Sequence, residues 1–366
     1  LRHIDAYARH LEETSISAQD WEVRRRPVPA FVFEEAWKGL RAHAPRERLN
    51  AMVATLQTQI ETQYRIELRK EERQALRKAA EGMVRRTTLR KTYRELFAWM
   101  GRPDLFNPTR GKLEYADVFP IIYLKLKTEG VENPYAEVKH LLVDEMQDYT
   151  CVQYAVLDRL FACRKTILGD ATQSVNPSAS LAEDIARVLR PAQRVTLNRS
   201  YRSTWEIMQF ALGIAPNPDL IPMKRHGETP EIRLCGSARD AEAEIAREAE
   251  RFAQSPHRTL AIIVKTQKAA EKLHAGLEAR GVTSRLLDPH TGGFAAGIVI
   301  CTPHLAKGLE FDEVVVADAS ASAYSRPMDR NLLYIACTRA MHRLTLVSPG
   351  TPSPFLPKIA GGRSGD

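Results

Sequence analysis

Cysteine is scarce in this sequence and never usefully spaced: Cys151, Cys163, Cys235, Cys301 and Cys337 are scattered, odd in number and form no C-x-x-C pair. A disulfide scaffold and a cysteine zinc site are thereby excluded, and the five read as reduced, packed thiols of an intracellular protein. No apolar run reaches the roughly 18 residues that a membrane span needs. No charged-then-apolar leader opens the chain either, so it is expected to be soluble and cytoplasmic, with no membrane partner. His257, His274, His290 and His342 lack metal-ligand spacing. Internal repeats and low-complexity tracts are also missing. The phosphate-loop signature G-x-x-x-x-G-K-[ST] is absent too: Gly111-Lys112 is followed by Leu113, and Phe106 stands where the first glycine belongs. The first residue is Leu1 and not methionine, which leads to the expectation that the chain is a piece of a longer protein.

What is present is a chain of 366 residues, long enough for about two or three domains. Fifty-three basic against 45 acidic residues give a net charge of +8 and a pI near 9.2, compatible with a polyanionic partner. From Ala44 to Met100 glycine and proline almost vanish after Pro45, while Leu49, Met52, Val53, Leu56, Ile60 and Tyr64 recur at helical spacing. The pattern predicts one long amphipathic helix or a helical hairpin. Its Arg65–Arg94 stretch carries eleven basic residues against four glutamates. Two readings stand: a solvated face with local ion pairs, as around Glu67, Lys70 and Glu71, or an arm that lies on nucleic acid or an acidic protein surface. Trp21, Trp37 and Trp99 read as packing anchors.

Past the breakers of GRPDLFNPTRG a helix is predicted over Tyr115–Lys127, and then the periodicity changes. Strands are predicted at 140–143, 166–168, 194–197, 260–264, 283–287, 297–301, 313–316 and 344–347, with helical segments between most of them. Such alternation indicates parallel sheets covered on both faces. Pro216, Pro218, Pro222 and Pro230 suggest an irregular connection between two sheets.

Polar clusters stand at the ends of several predicted strands, where parallel sheets put their ligand crevices. In LLVDEMQDYT a buried strand runs out into Asp144 and Glu145, a pair suited to holding Mg2+ and orienting a water toward a phosphate. Thr150-x-x-Gln153 has the form of a capping box that starts the next helix. TILGDATQSVNP repeats the arrangement with Gly169, Asp170, Gln173 and Ser174. VTLNRSYRSTWEIMQF supplies Arg199 and Arg202, with Ser203-x-x-Glu206 as a helix start. Nearer the C-terminus, Thr302, His304, Lys307, Gly308 and Glu310 lie between two strands, and Arg339 falls late in a predicted helix before the last strand. Arginines on one sheet could stabilise phosphates held by another.

In order and wording, VDEMQD, LGDATQS, LNRSYRST, TPHLAKGLEFDEVVV and LLYIACTRA resemble motifs II to VI of the superfamily 1 helicases of the UvrD/Rep type. Within that group the wording is most similar to the HelD, or helicase IV-like, branch. The resemblance implies an α/β fold of two RecA-like parallel-sheet motor domains, the first incomplete, with an N-terminal helical insertion. The expected division is a basic helical arm over 1–110, the rest of the first motor domain over 111–192, the second over 193–350, and a tail over 351–366. ATP and Mg2+ are the implied cofactors. Asp144 would hold Mg2+ and Glu145 would activate the hydrolytic water. Gln147 and Gln173 would sense the terminal phosphate, and Arg202 and Arg339 would reach it from across the cleft. Gly308 and Glu310 would lie near the phosphates and ribose, Thr302 and His304 against nucleic acid. Arg199 is the lesser finger candidate, because the family pattern fixes the arginine of Tyr201-Arg202-Ser203.

The implied function is an ATP-dependent helicase or translocase acting on single-stranded or duplex DNA. The stretch between Ser203 and Thr302 leaves little room for the 2B insertion of UvrD and Rep, which favours HelD-like remodelling of RNA polymerase over duplex unwinding. Without a phosphate loop the chain alone is expected to hydrolyse little ATP. A non-enzymatic module that docks on RNA polymerase is the alternative.

Overall fold

The computed structural model describes residues 1–43, 45–108, 111–130, 134–170, 182–189, 193–288 and 296–358. Two compact units emerge, one of Leu1–Asp144, Tyr149–Leu168 and Ala182–Pro191, the other of Glu145–Asp148, Gly169–Leu181 and Ala192–Asp366.

The first unit opens with α1 (Arg2–Glu13), the hairpin β1 (Trp21–Val23) and β2 (Arg26–Val28), and α2 (Ala30–Gly39). Arg24 and Arg25, at φ 50° and 60°, form the hairpin turn, whose positive-φ backbone matches the strand twist. The predicted long helix is three helices: α3 (Pro45–Tyr64), α4 (Lys70–Met83) and α5 (Leu89–Trp99). Arg65 ends the first in the left-handed region, at φ 52°. The Arg69 backbone N–H donates to the Glu72 carboxylate at 2.8 Å where the second starts, and the Thr88 hydroxyl caps the third. The apolar spacing holds: Leu49, Met52, Leu56 and Ile60 are buried with Phe33, Trp37 and Leu76. Glu67 pairs with Arg73 at 3.6 Å, and Glu81 serves both Arg77 and Arg86. Exposed pairs like these contribute about 0–1 kcal/mol each.

One polar anchor is of another kind. Arg48, almost wholly buried, donates to both carboxylate oxygens of Glu12 at 3.0 and 2.9 Å and to the Trp37 carbonyl, with its guanidinium 4.0 Å from the Trp37 ring centre. Glu12 can turn to water when its partner is removed. Arg48→Met should therefore cost roughly 2 kcal/mol, less than the ~3–5 of a fully buried pair. Urea unfolding would show a lower midpoint, and an unchanged one would show that the buried Arg48 makes no net contribution to stability.

A second core joins α1 and α5 to α6 (Tyr115–Thr128) and α7 (Cys151–Leu160) through Tyr7, Tyr93, Leu96, Leu124 and Val156. Between these helices β3 (His140–Val143) pairs in parallel with β4 (Arg164–Ile167), and α8 (Ala182–Val188) follows. The capping box of α7 forms as its sequence requires, the Thr150 backbone N–H donating to Gln153 at 2.7 Å.

The second unit begins with β5 (Arg199–Ser200), α9 (Trp205–Ile214) and β6 (Ile221–Pro222). There follow β7 (Glu231–Cys235), α10 (Ala238–Ala253), β8 (Thr259–Ile263), α11 (Gln267–Ala279), β9 (Arg285–Leu286) and β10 (Gly297–Cys301). The short α12 (Pro303–Ala306), β11 (Phe311–Val316), α13 (Pro327–Cys337) and β12 (Ala340–Pro349) complete it. Six strands make one wholly parallel sheet in the order β7-β12-β11-β8-β10-β9. Alternate residues serve opposite faces, as a pleat demands. Ala261, Ile263, Val314 and Val316 pack with α9 and α13, while Leu260, Ile262 and Val315 pack with α10 and α11. The fold class is α/β, as the alternation predicts.

Further expectations are refined. Residues 193–198 are not a strand, and pairing starts only at Arg199, which lies parallel to Ile221. The prolines run inside the second unit, from the two-stranded β5-β6 sheet, whose β6 is Ile221–Pro222, to Pro230 just before β7 of the six-stranded one. Thr204 is the N-cap of α9, since the Ser203 hydroxyl donates instead to the Ala340 carbonyl at 2.6 Å. Arg339 lies just beyond α13, which ends at Cys337. Trp37 is buried as an anchor, whereas Trp99 is 43% exposed. Among the described residues the cysteines are free thiols, and no helix is long and apolar enough to cross a membrane.

Candidate functional site

Asp144 directly follows the last residue of β3, and the backbone then turns sharply. Glu145 adopts φ 53°, a left-handed conformation that costs a non-glycine residue about 1–3 kcal/mol and is found preferentially where function requires it. A single helical turn, Met146–Asp148, follows. Gln147 is buried within it; its amide donates to Glu145 Oε2 at 2.6 Å and accepts from the backbone N–H of Asp170 at 3.0 Å. Gly169 is tightly enclosed, because a Cβ there would lie 2.5 Å from Gln147 Oε1 and 2.6 Å from the Met146 backbone nitrogen. A glycine is required at that approach. The two carboxylate-bearing motifs of the sequence are thus clipped together through one amide. Gln173 and Ser174 lie outside the described residues.

The stretch from Thr302 to Glu310 reaches most of the remaining candidates. Thr302 is buried and its hydroxyl caps α12, while His304, on the same turn, is exposed. Lys307, its side chain 7% exposed, places its ammonium 2.7 Å from Asp148 and 3.4 Å from Glu145. Gly308 turns at φ 81°, open to glycine without strain. The Leu309 carbonyl accepts from Arg339 at 3.3 Å, and Glu310 pairs with Arg202 at 2.5 Å. Ser200, Tyr201, Arg202 and Glu310 line an open hollow of about 470 Å³. Arg199 is exposed at its edge of β5.

Among the described residues Arg339 is the largest wholly buried side chain, held by the carbonyls of Ile335 and Leu309 and by Thr338. Burial pushes its guanidinium down to about 10, and the positive charge of Arg202 acts in the same direction; Glu145 and Glu310 oppose them. The guanidinium stays charged at neutral pH, with a second cation as neighbour. Two arginines held near two glutamates and a lysine make a place where polyanionic oxygens could exchange for protein carboxylates. Lys307 and Asp148 were visible in the sequence only as parts of longer motifs. Their role as a bridge comes from segments far apart in the chain, and periodicity carries no trace of it.

Residues 8–176 match the model of the UvrD/REP helicase N-terminal domain, and residues 297–347 that of the UvrD-like helicase C-terminal domain. The chain is 28% identical over 185 residues to the ATP-dependent DNA helicase srs2 of Schizosaccharomyces pombe, covering 46% of this chain and 20% of that protein. It therefore spans about a fifth of this curated relative. The crystal structure of the C-terminal domain of a possible DNA helicase from Lactobacillus plantarum WCFS1 is 35% identical, covering 43% of this chain and 91% of the other, at a TM-score of 0.38. Dbp5 of S. cerevisiae, bound to RNA and ADP BeF3, is 14% identical, covering 71% and 68% of the two chains at a TM-score of 0.34.

Proposed function

From the matches of residues 8–176 and 297–347 to UvrD/REP-type helicase domains, we propose that this chain supplies the metal, water and arginine side of an ATP-driven DNA helicase or translocase. The observation that carries this reading is the convergence of Glu145, Arg202 and Arg339 on the single segment Thr302–Glu310. Asp144 and Glu145 offer hard carboxylate oxygens at a strand end, a donor set that suits Mg2+ held largely by waters and phosphate oxygens. Bound at Asp144, Mg2+ would neutralise charge on the phosphates. Glu145 would take the proton of the attacking water. Gln147 and Gln173 would report the terminal phosphate, Arg202 and Arg339 would stabilise its charge, and Gly308 and Glu310 would line the nucleotide. His304 would face the nucleic acid, whereas Thr302, expected beside it, is buried and caps the turn that carries His304. In the protein as described, Glu310 holds Arg202 and Lys307 holds Glu145, so nucleotide binding would replace internal pairs.

The expected division into a helical arm, a first motor domain and a second one belongs to the same proposal, with the phosphate loop supplied from outside these residues. The HelD-like branch and an RNA polymerase partner are finer parts of it, suggested by the motif wording and by the short stretch between Ser203 and Thr302. The missing G-x-x-x-x-G-K-[ST] favours one rival, a module that docks on polymerase without turnover. ATP hydrolysis by the full-length protein that carries this chain separates the two. We expect single-stranded DNA to stimulate it at least about tenfold, while the chain alone stays at background. A full-length protein without ATPase activity that still binds polymerase would leave the docking module in its place.

A further inference from the structure

The segment after β6 carries a guanidinium that no motif claims. The backbone carbonyl of Arg225 accepts from the Trp205 N–H at 2.8 Å, which lays the segment along the start of α9. His226 and the N–H of Gly227 bind the Glu206 carboxylate at 2.8 and 2.9 Å, and a Cβ on Gly227 would meet Thr204 at 2.6 Å. The segment is therefore fixed at three successive residues. From it Arg225 donates one terminal nitrogen to two carbonyls, that of Arg202 and, at 3.2 Å, that of Met341. Beside this clamp Ser203 donates to the Ala340 carbonyl.

These ties have a common geometry. Arg202 and Ser203 are joined to Ala340 and Met341, the two residues that follow Arg339. Arg339 itself has its carbonyl held by the N–H of Phe311 at 3.0 Å. The two arginines repel one another, and these backbone ties add to the contacts that already hold their side chains, Glu310 on Arg202 and the Ile335 and Leu309 carbonyls on Arg339. The Nε of Arg225 is buried with no hydrogen-bond partner. An apolar side chain would avoid that penalty but would take the donor from the Arg202 and Met341 carbonyls.

We propose that Arg225 is a positioning residue, fixing the spacing of Arg202 and Arg339 by clamping the Arg202 backbone to that of Met341, two residues beyond Arg339; this rests on the reading of the two arginines as phosphate-facing. The test is ATP hydrolysis by the full-length protein with Arg225→Met, which keeps the apolar stem and removes the donors. Turnover per bound nucleotide, with binding titrated separately by a fluorescent ATP analogue, should fall about 30-fold with KM changed less than about threefold, the size expected of a slight misplacement. Arg225→Lys should recover most of it, because an ammonium can still reach a carbonyl. In an Arg339→Ala background the Arg225→Met effect should shrink, since the finger it positions is gone. Turnover per bound nucleotide within about threefold of wild type would overturn the proposal. So would a loss fully additive to that of Arg339→Ala. If Arg202→Ala and Arg339→Ala both leave hydrolysis intact, the phosphate reading falls and Arg225 falls with it; if they cripple it and Arg225→Met does not, only the clamp is wrong.

Discussion

Replacing Glu145 by glutamine in the full-length protein is expected to lower ATP turnover about 10³-fold or more while leaving ATP affinity within a few fold, the pattern of a lost general base. The reasoning starts from the backbone. A left-handed glutamate at a strand end is costly, and two contacts secure it, the Gln147 amide and the Lys307 ammonium. Glutamine preserves the shape and can still accept from both donors, so the turn should persist. What disappears is the ability to take a proton from water. Asp148 is the rival, because it is the carboxylate nearer to Lys307. Asp148→Asn should disturb the position of Lys307 and slow turnover far less than Glu145→Gln. The measurement is single-turnover hydrolysis with nucleotide binding titrated separately. A Glu145→Gln protein that hydrolyses within about tenfold of wild type would remove Glu145 from that role.

Much of this fold could be read from residues because its second unit is a buried parallel sheet. Gly297–Cys301 is an unbroken apolar run and β11 ends in Val314-Val315-Val316, so strands β10 and β11 are plain in the sequence. β7 was missed for the opposite reason. It lies at the sheet edge, Glu231 and Arg233 pair with each other across one face, and Leu234 is exposed, so its pattern resembles a loop. The helical arm misled differently. No glycine or proline interrupts Tyr64 to Lys70; an arginine takes the left-handed position that ends α3, and a chain-termination signal normally carried by glycine is absent. At the candidate site the residue types were legible and the contacts were not. Lys307 and Arg225 acquire meaning only from what the fold brings to them, and both act through groups that lie in other motifs.

Arg339→Met should separate stability from activity in opposite directions. Turnover is expected to fall about 10³-fold, the lower end of what a phosphate-facing arginine contributes. The melting temperature of the nucleotide-free protein should stay level or rise. Burial holds the Arg339 guanidinium down at about 10, below its ordinary value, so the fold disfavours the charged form relative to the unfolded chain. For a cation with a lowered value the sign is a penalty, present in full below about pH 10 and relieved as the pH climbs from there toward the unfolded value. Methionine fills much of the same volume and carries no charge to bury, and exchanges of this kind are often neutral or stabilising. Against that stand the carbonyls of Leu309 and Ile335, which lose a donor. Ile335 retains the Thr338 hydroxyl at 3.1 Å, which limits the loss. Arg339→Lys keeps a charge but not the fork that spans Leu309, Ile335 and Thr338, so it should recover less than about tenfold of the activity. A thermal melt beside a hydrolysis assay decides the matter. If Arg339→Met melts several degrees lower and still turns over ATP at a near-normal rate, the arginine is a structural pin and Arg202 alone would remain as the candidate finger.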